Sequence, residues 1–170
     1  MNEFNAALPE PWLRGTLTEI PSVPRAVLHA LELAKEDLWK WCFPLPNKQL
    51  NQSSAQIASI AFHLRHIARS LDRLLTYAEN RALTESQLEL LRSELSVEAK
   101  HEELFTELEI AFEQCGRRIR ELAQLDLEAP RSVGKKHLPT TLGGLLVHVA
   151  DHTLRHVGQA ITTAKFIAQR

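Results

Sequence analysis

The sequence has 170 residues, of which 44% are hydrophobic, enough apolar material for one domain with a buried core. The formal net charge is −1, so no overall positive field would attract nucleic acid or anionic lipid, and no apolar run approaches the ~20 residues that span a bilayer. The N-terminus lacks a signal-peptide core, and Cys42 and Cys115 fit no metal or redox spacing. We therefore expect a cytoplasmic protein with reduced thiols and with no nucleic-acid or membrane partner.

The first segment of the chain cannot form a lasting helix. The stretch "LPEPWLRGTLTEIPSVP" at 8–24 contains four prolines and a glycine, which interrupt helical hydrogen bonding. It also carries Trp12, Leu13 and Leu17, which indicates that it packs on something. We predict an irregular N-terminal arm over residues 1–21 and a helical domain over residues 22–170.

Two amphipathic helices are predicted next. The first begins near Ser22, continues with apolar residues at helical spacing and ends at Pro44. The second begins near Ser53 or Ser54, either of which is a suitable N-cap, and runs to about Asn80. Its apolar stripe is long and regular, which predicts a helix with one deeply buried face.

The rest of the chain also follows a helical pattern. Thr84 and Gln87 have the spacing of a capping box and predict a short helix, and Ser96 could begin a longer one that reaches about position 125. Residues 126–139 are predicted to be a loop, and a last helix follows it. Long amphipathic helices with few strand signals favour an all-α protein, a four-helix bundle with an irregular N-terminal arm.

Three histidines stand four residues apart in the last helix, in "HVADHTLRHVGQ" at 148–159. Side chains four apart lie on one helix face with Cβ atoms ~5–6 Å apart, so two imidazoles can bind one ion. Positions eight apart are separated by ~12 Å, too far to share it. The two candidate pairs are therefore His148/His152 and His152/His156. A helical wheel favours His152/His156, which lies closer to the buried stripe.

The second helix carries another pair, His63 and His66, in "AFHLRHIARSLDR". A catalytic zinc-type site takes three protein ligands and leaves one position open, so two histidines from the last helix and one from the second would complete it. Histidines at such spacings also occur as ordinary surface or core residues, and only the combination of both clusters favours a metal. The wheel favours His63, which lies nearer the centre of the apolar stripe.

The motifs "HIARSLDRLL" at 66–75 and "HTLRHVGQ" at 152–159 together resemble the DinB-like family, and the wider group of thiol-dependent S-transferases and mycothiol-dependent isomerases. The resemblance extends from about residue 23 to residue 167. The matching positions of this sequence are His66-Ile67-Ala68, Asp72, His152, His156, Gly158 and Gln159.

The resemblance implies a four-helix bundle with an open three-ligand metal site, often in a homodimer. Carried over position by position, the implied ligands are His66, His152 and His156, so the family pattern selects His66 where the wheel selects His63. The additional histidines, His63 and His148, depart from the pattern and are candidates for partners of the ligands.

Two further side chains are candidates for such supporting roles. Asp72 could orient a ligand histidine, although an ion pair with Arg69 or Arg73 is the simpler interpretation. Gln159 could hydrogen-bond a molecule at the metal, or could be a surface amide. Imidazole ligands suit Zn²⁺ or Ni²⁺, so we expect one of these ions.

We hypothesise a metal-dependent enzyme of hydrolase or thiol S-transferase type, with a small molecule or a low-molecular-weight thiol as substrate. The alternative is a non-catalytic metal-binding or stress-response module in which the metal is structural or absent. A closed fourth ligand would favour the alternative, and an open position in a cleft would favour the enzyme.

Overall fold

The computed structural model describes residues 8–53, 57–94 and 98–168, and these ranges form helices and one β-hairpin. In chain order the elements are α1 (Ser22–Trp41), α2 (Asn47–Leu50), α3 (Ile60–Ala78), α4 (Glu85–Arg92), α5 (His101–Leu122), β1 (Pro130–Val133), β2 (Leu138–Thr141) and α6 (Leu142–Ala168). None of the helices in this described part is long and apolar enough to cross a membrane.

The four long helices pack as a bundle around a single apolar core. Both α5 and α6 pack against α1 and against α3, so α1 and α3 occupy opposite corners. Leucines and isoleucines from all four helices fill the centre with essentially no exposure, among them Leu38, Leu71, Leu108 and Leu146. Each such side chain contributes roughly 1.5–3 kcal/mol on burial, so the apolar stripes of the sequence determine how the helices face one another.

The helix α3 has the regular stripe that the sequence predicts but begins later than predicted. Its apolar residues recur every three or four positions from Ile60 to Leu75 and are buried. The N-cap is Ser59, whose side chain accepts a hydrogen bond from the Phe62 amide. The predicted start near Ser53 is wrong, because the helix begins only at Ile60 and Ile57, ahead of it, is 45% exposed. The other predicted start, Ser54, lies outside the described residues.

The helix α4 begins as predicted. The Thr84 side chain accepts from the Gln87 amide, and the Gln87 side chain accepts from the Thr84 amide, which together form the capping box. The proposed cap Ser96 lies outside the described residues, and α5 begins at His101.

The predicted loop over residues 126–139 is wrong, because this segment contains most of an antiparallel β-hairpin. The strand β1 pairs with β2, with Pro130 opposite Thr141. Gly134 and His137, in the turn, have φ angles of 72° and 48°, a left-handed conformation that glycine adopts without strain. The Thr141 hydroxyl then accepts from the Gly144 amide at 3.1 Å, so the hairpin leads directly into the capped start of α6.

The described part of the N-terminal arm is irregular apart from one 3₁₀ turn at Pro11–Leu13. Arg14 donates to Glu32 at 2.9 Å and to Glu36 at 2.6 Å, and the Thr16 hydroxyl lies 3.1 Å from the His29 Nε2 atom. These partners all belong to α1, so the arm lies along that helix.

Candidate metal centre

Histidines from α3 and α6 meet where the two helices pack side by side. His66 Nε2 lies 3.0 Å from His152 Nε2, and His63 Nδ1 lies 3.1 Å from His156 Nδ1. His63, the earlier residue on α3, faces His156, the later residue on α6, so the two helices run antiparallel here. One turn of each helix therefore supplies two imidazoles to the same place.

Three of these side chains have the arrangement of a ligand set. His66, His152 and His156 each offer one ring nitrogen, and the three nitrogens lie within 4.8 Å of one another. Bonds of ~2.0–2.1 Å at angles between ~90° and ~109° place two ligand nitrogens ~2.8–3.4 Å apart. The 3.0 Å between His66 and His152 lies within that interval. That pair therefore has the spacing of two ligands of one transition-metal ion, and the third nitrogen lies within 4.8 Å of both.

The second ring nitrogen of His66 bonds a buried carboxylate. Nδ1 of His66 lies 2.7 Å from Oε2 of Glu94, in the segment that follows α4. The other carboxylate oxygen of Glu94 accepts from Nη1 of Arg73 at 2.7 Å. A carboxylate can only accept, so the His66 proton resides on Nδ1 and its Nε2 lone pair points toward His152.

His63 has a comparable position beside His156. The two Nδ1 atoms share one hydrogen, and donation from His156 leaves its Nε2 lone pair free. The ring of Phe62 lies at the edge of the His63 ring, with centroids 5.2 Å apart, and stacks on the His66 ring, with centroids 5.4 Å apart. An apolar wall of this kind limits the rotation of both imidazoles.

His63, His152 and His156 are held in the neutral form that metal binding requires. The pKa values of His63, His152 and His156 are lowered to about 4, first by burial and then by the positive charge that neighbouring histidines would carry if protonated. Arg155 adds to the effect on His152 and His156. Near neutral pH these rings therefore carry lone pairs and no charge.

The other predicted site residues lie away from the ligand nitrogens. His148 is exposed on α6, and its Nδ1 lies 3.7 Å from a carboxylate oxygen of Asp151. The centroid of its ring is 5.5 Å from that of the His152 ring. Asp72 accepts from Arg118 and Gln87 and bonds none of the histidines, nor Arg69 or Arg73. Gln159 is exposed. The structure therefore brings together His63, His66, His152 and His156, and in the described part of the chain none of the other three hydrogen-bonds a ligand imidazole.

The sequence analysis missed Glu94. It follows α4 in a connection without periodicity, and it is 28 positions from His66. No local pattern marks such a residue, because only the packing of α4 against α3 brings it to the site. In the structure it is recognisable as a carboxylate with 5% exposure, which requires partners.

The sequence matches a known protein family. The family model described as the DinB superfamily matches residues 23–160, a range that contains all four histidines of the cluster. Among curated proteins, none matches the sequence.

Proposed function

The chain belongs to the DinB superfamily, and we propose that it is a metal-dependent enzyme in which His66, His152 and His156 hold one Zn²⁺ or Ni²⁺ ion. The observation that carries the proposal is the convergence of three ring nitrogens within 4.8 Å. Two of the rings, His152 and His156, have pKa values lowered to about 4, which keeps their lone pairs available near neutral pH.

The open ligand set favours an enzyme over a module with a structural ion. Structural zinc sites use four protein ligands, whereas catalytic sites use three. Among the residues that the structure describes, no fourth histidine, cysteine or carboxylate joins the three imidazoles. When bound, such an ion supplies a Lewis-acid centre that activates water or a thiol, so we assign a hydrolase or a thiol S-transferase acting on a small molecule.

The side chains around the three ligands fix their orientation. Glu94 accepts from Nδ1 of His66, and Nδ1 of His63 bonds Nδ1 of His156. Glu94 thus directs the Nε2 lone pair of His66 inward, and His63 does the same for His156 when it accepts from that ring.

Alanine substitution of each histidine tests the proposal. We expect wild-type protein, purified without an affinity tag, to hold about one metal ion per chain. His66→Ala, His152→Ala and His156→Ala should each remove nearly all binding, because each deletes a ligand. His63→Ala should weaken binding by roughly 10–100-fold, because it deletes only the partner of a ligand. Elemental analysis and competition with a chelator measure both quantities.

The matched control is His148→Ala, on the exposed side of α6, which should bind metal as the wild type does. Full stoichiometry and affinity in His152→Ala would refute the proposed centre. A larger loss in His63→Ala than in His66→Ala would show that His63 is the ligand from α3.

A further inference from the structure

We propose that Glu94 is the positioning residue of the metal centre, which holds His66 in the one tautomer that can bind a metal through Nε2. This inference rests on the proposed function, because it concerns the same three ligands. The connection between α4 and α5 contributes no ligand, but through Glu94 it takes part in building the site.

The contacts of Glu94 leave its carboxylate little freedom. The side chain is 5% exposed, and its two oxygens bond different partners, His66 and Arg73, each at 2.7 Å. The Arg73 side chain is itself only 10% exposed. A buried carboxylate with both oxygens engaged is fixed in position and in charge.

The segment that carries Glu94 is itself attached to α3. Arg69 donates to the Leu90 carbonyl at 2.8 Å and to the Ser93 hydroxyl at 3.1 Å, both at the end of α4. His66, Arg69 and Arg73 follow one another at spacings of three and four, so they share one face of α3. That face receives the end of α4 and places Glu94 beside the ligand.

The tautomer of His66 follows from these bonds. Because Glu94 only accepts, the His66 hydrogen lies on Nδ1, and Nε2 presents a lone pair 3.0 Å from Nε2 of His152. The other tautomer would carry the hydrogen on Nε2, so His66 would have no lone pair there for a metal. An ion pair that served only to attach α4 would need Arg73 but would not need the bond to His66.

The substitution Glu94→Gln separates these two roles, because it keeps the shape of the side chain. Arg73 can only donate, so it retains the amide oxygen and the amide nitrogen faces Nδ1 of His66. Nδ1 must then accept, and the hydrogen moves to Nε2. We expect the tautomer of His66 to switch in the metal-free protein, which ¹H–¹⁵N correlation spectra of the imidazole rings would report.

Metal affinity should fall by roughly 10–100-fold in Glu94→Gln, the usual effect of losing a partner of a metal-bound histidine. The double variant Glu94→Met/Arg73→Met removes the ion pair as a unit, which often preserves stability, and it should also weaken binding. The matched control is Glu79→Gln, which breaks a 2.5 Å ion pair with Arg118 at the far end of α3 and should leave affinity within about twofold.

Two results would overturn the assignment. One is a His66 tautomer and a metal affinity that stay unchanged in Glu94→Gln and in the double variant. The other is an equal loss of affinity in Glu79→Gln. A wild-type protein that binds no metal would instead refute the proposed function, and the tautomer of His66 in the metal-free protein would still report whether Glu94 sets it.

Discussion

His63 and His66 lie on one face of α3, yet their surroundings differ. His63 is 5% exposed and bonds His156 through Nδ1, whereas the His66 side chain is 17% exposed and bonds Glu94. A ligand needs a lone pair directed into the space between the ligands, and the most buried ring is not necessarily the one that provides it. The wheel ranks side chains by burial, so it selected His63. The three converging nitrogens include that of His66.

The lowered pKa values of the buried histidines predict how stability depends on pH. His63, His152 and His156 have pKa values of about 4 in the folded protein and ~6.5 when unfolded. Between these values the unfolded chain binds more protons, so protonation favours unfolding. The melting temperature of the metal-free protein should therefore fall as pH is lowered from about 6.5 to about 4.

The interval from about pH 6.5 to 5 isolates the histidines, because most carboxylates titrate nearer ~4. In that interval His63→Gln should show a shallower fall than the wild type, since it removes one of the three groups. Scanning calorimetry at half-unit steps of pH measures the difference. A melting temperature that stays constant between pH 6.5 and 5 would contradict the lowered pKa values.

At the scale of elements, periodicity predicted the helices, which bury an apolar face, and missed the β-hairpin, which depends on pairing between two short strands. The long helices follow from apolar stripes, and α4 from its capping box. The hairpin has strands of four residues, each with a proline, and neither alternates apolar and polar residues. Its turn also places the non-glycine residue His137 at φ 48°. The role of Glu94 was missed for a related reason, because its partners His66 and Arg73 are distant in sequence.

The arm along α1 should contribute to stability mainly through its apolar residues. Pro11 is buried and Leu17 packs against the core, whereas the ion pairs of Arg14 lie near the surface. Deleting residues 1–18 should lower the free energy of unfolding by about 1–3 kcal/mol, which is comparable to removing one Leu-sized buried group. Denaturant titration measures this change.

The matched variant Arg14→Gln keeps the apolar residues and removes the ion pairs to Glu32 and Glu36. Ion pairs near the surface contribute little net stability, so its effect should be the smaller of the two. An unchanged stability after the deletion would show that the arm only rests on α1.

At the scale of the whole molecule, α6 leaves one apolar line uncovered. Val147 is 54% exposed and Leu154 is 36% exposed, and Ile161, further along the helix, is partly buried. Among the described residues the arm lies on α1 and α5 packs on α1 and α3, and Val147 and Leu154 remain exposed. An amphipathic helix with a second apolar line favours a contact beyond its own bundle. We expect that contact to be a second copy of the chain, in a two-fold dimer.

Light scattering at micromolar concentration should report this dimer, and Leu154→Lys should convert it to a monomer by placing a charge in the contact. The matched control is Ile110→Lys on α5, which changes a residue of similar exposure, 49%, on another helix and should leave the dimer intact. A monomeric wild type would leave the apolar line without the partner predicted here.

The division of the ligands between α3 and α6 has a consequence for synthesis of the protein. His66 and His152 are 86 positions apart, and α4, α5 and the hairpin lie between them. A ribosome must therefore release all of these elements, and then α6, before three imidazoles can meet. Of the three ligands, an incomplete nascent chain could offer only His66, so it would compete poorly for scarce metal. Loading would thus follow translation, and a bound ion would mark a chain that has finished folding.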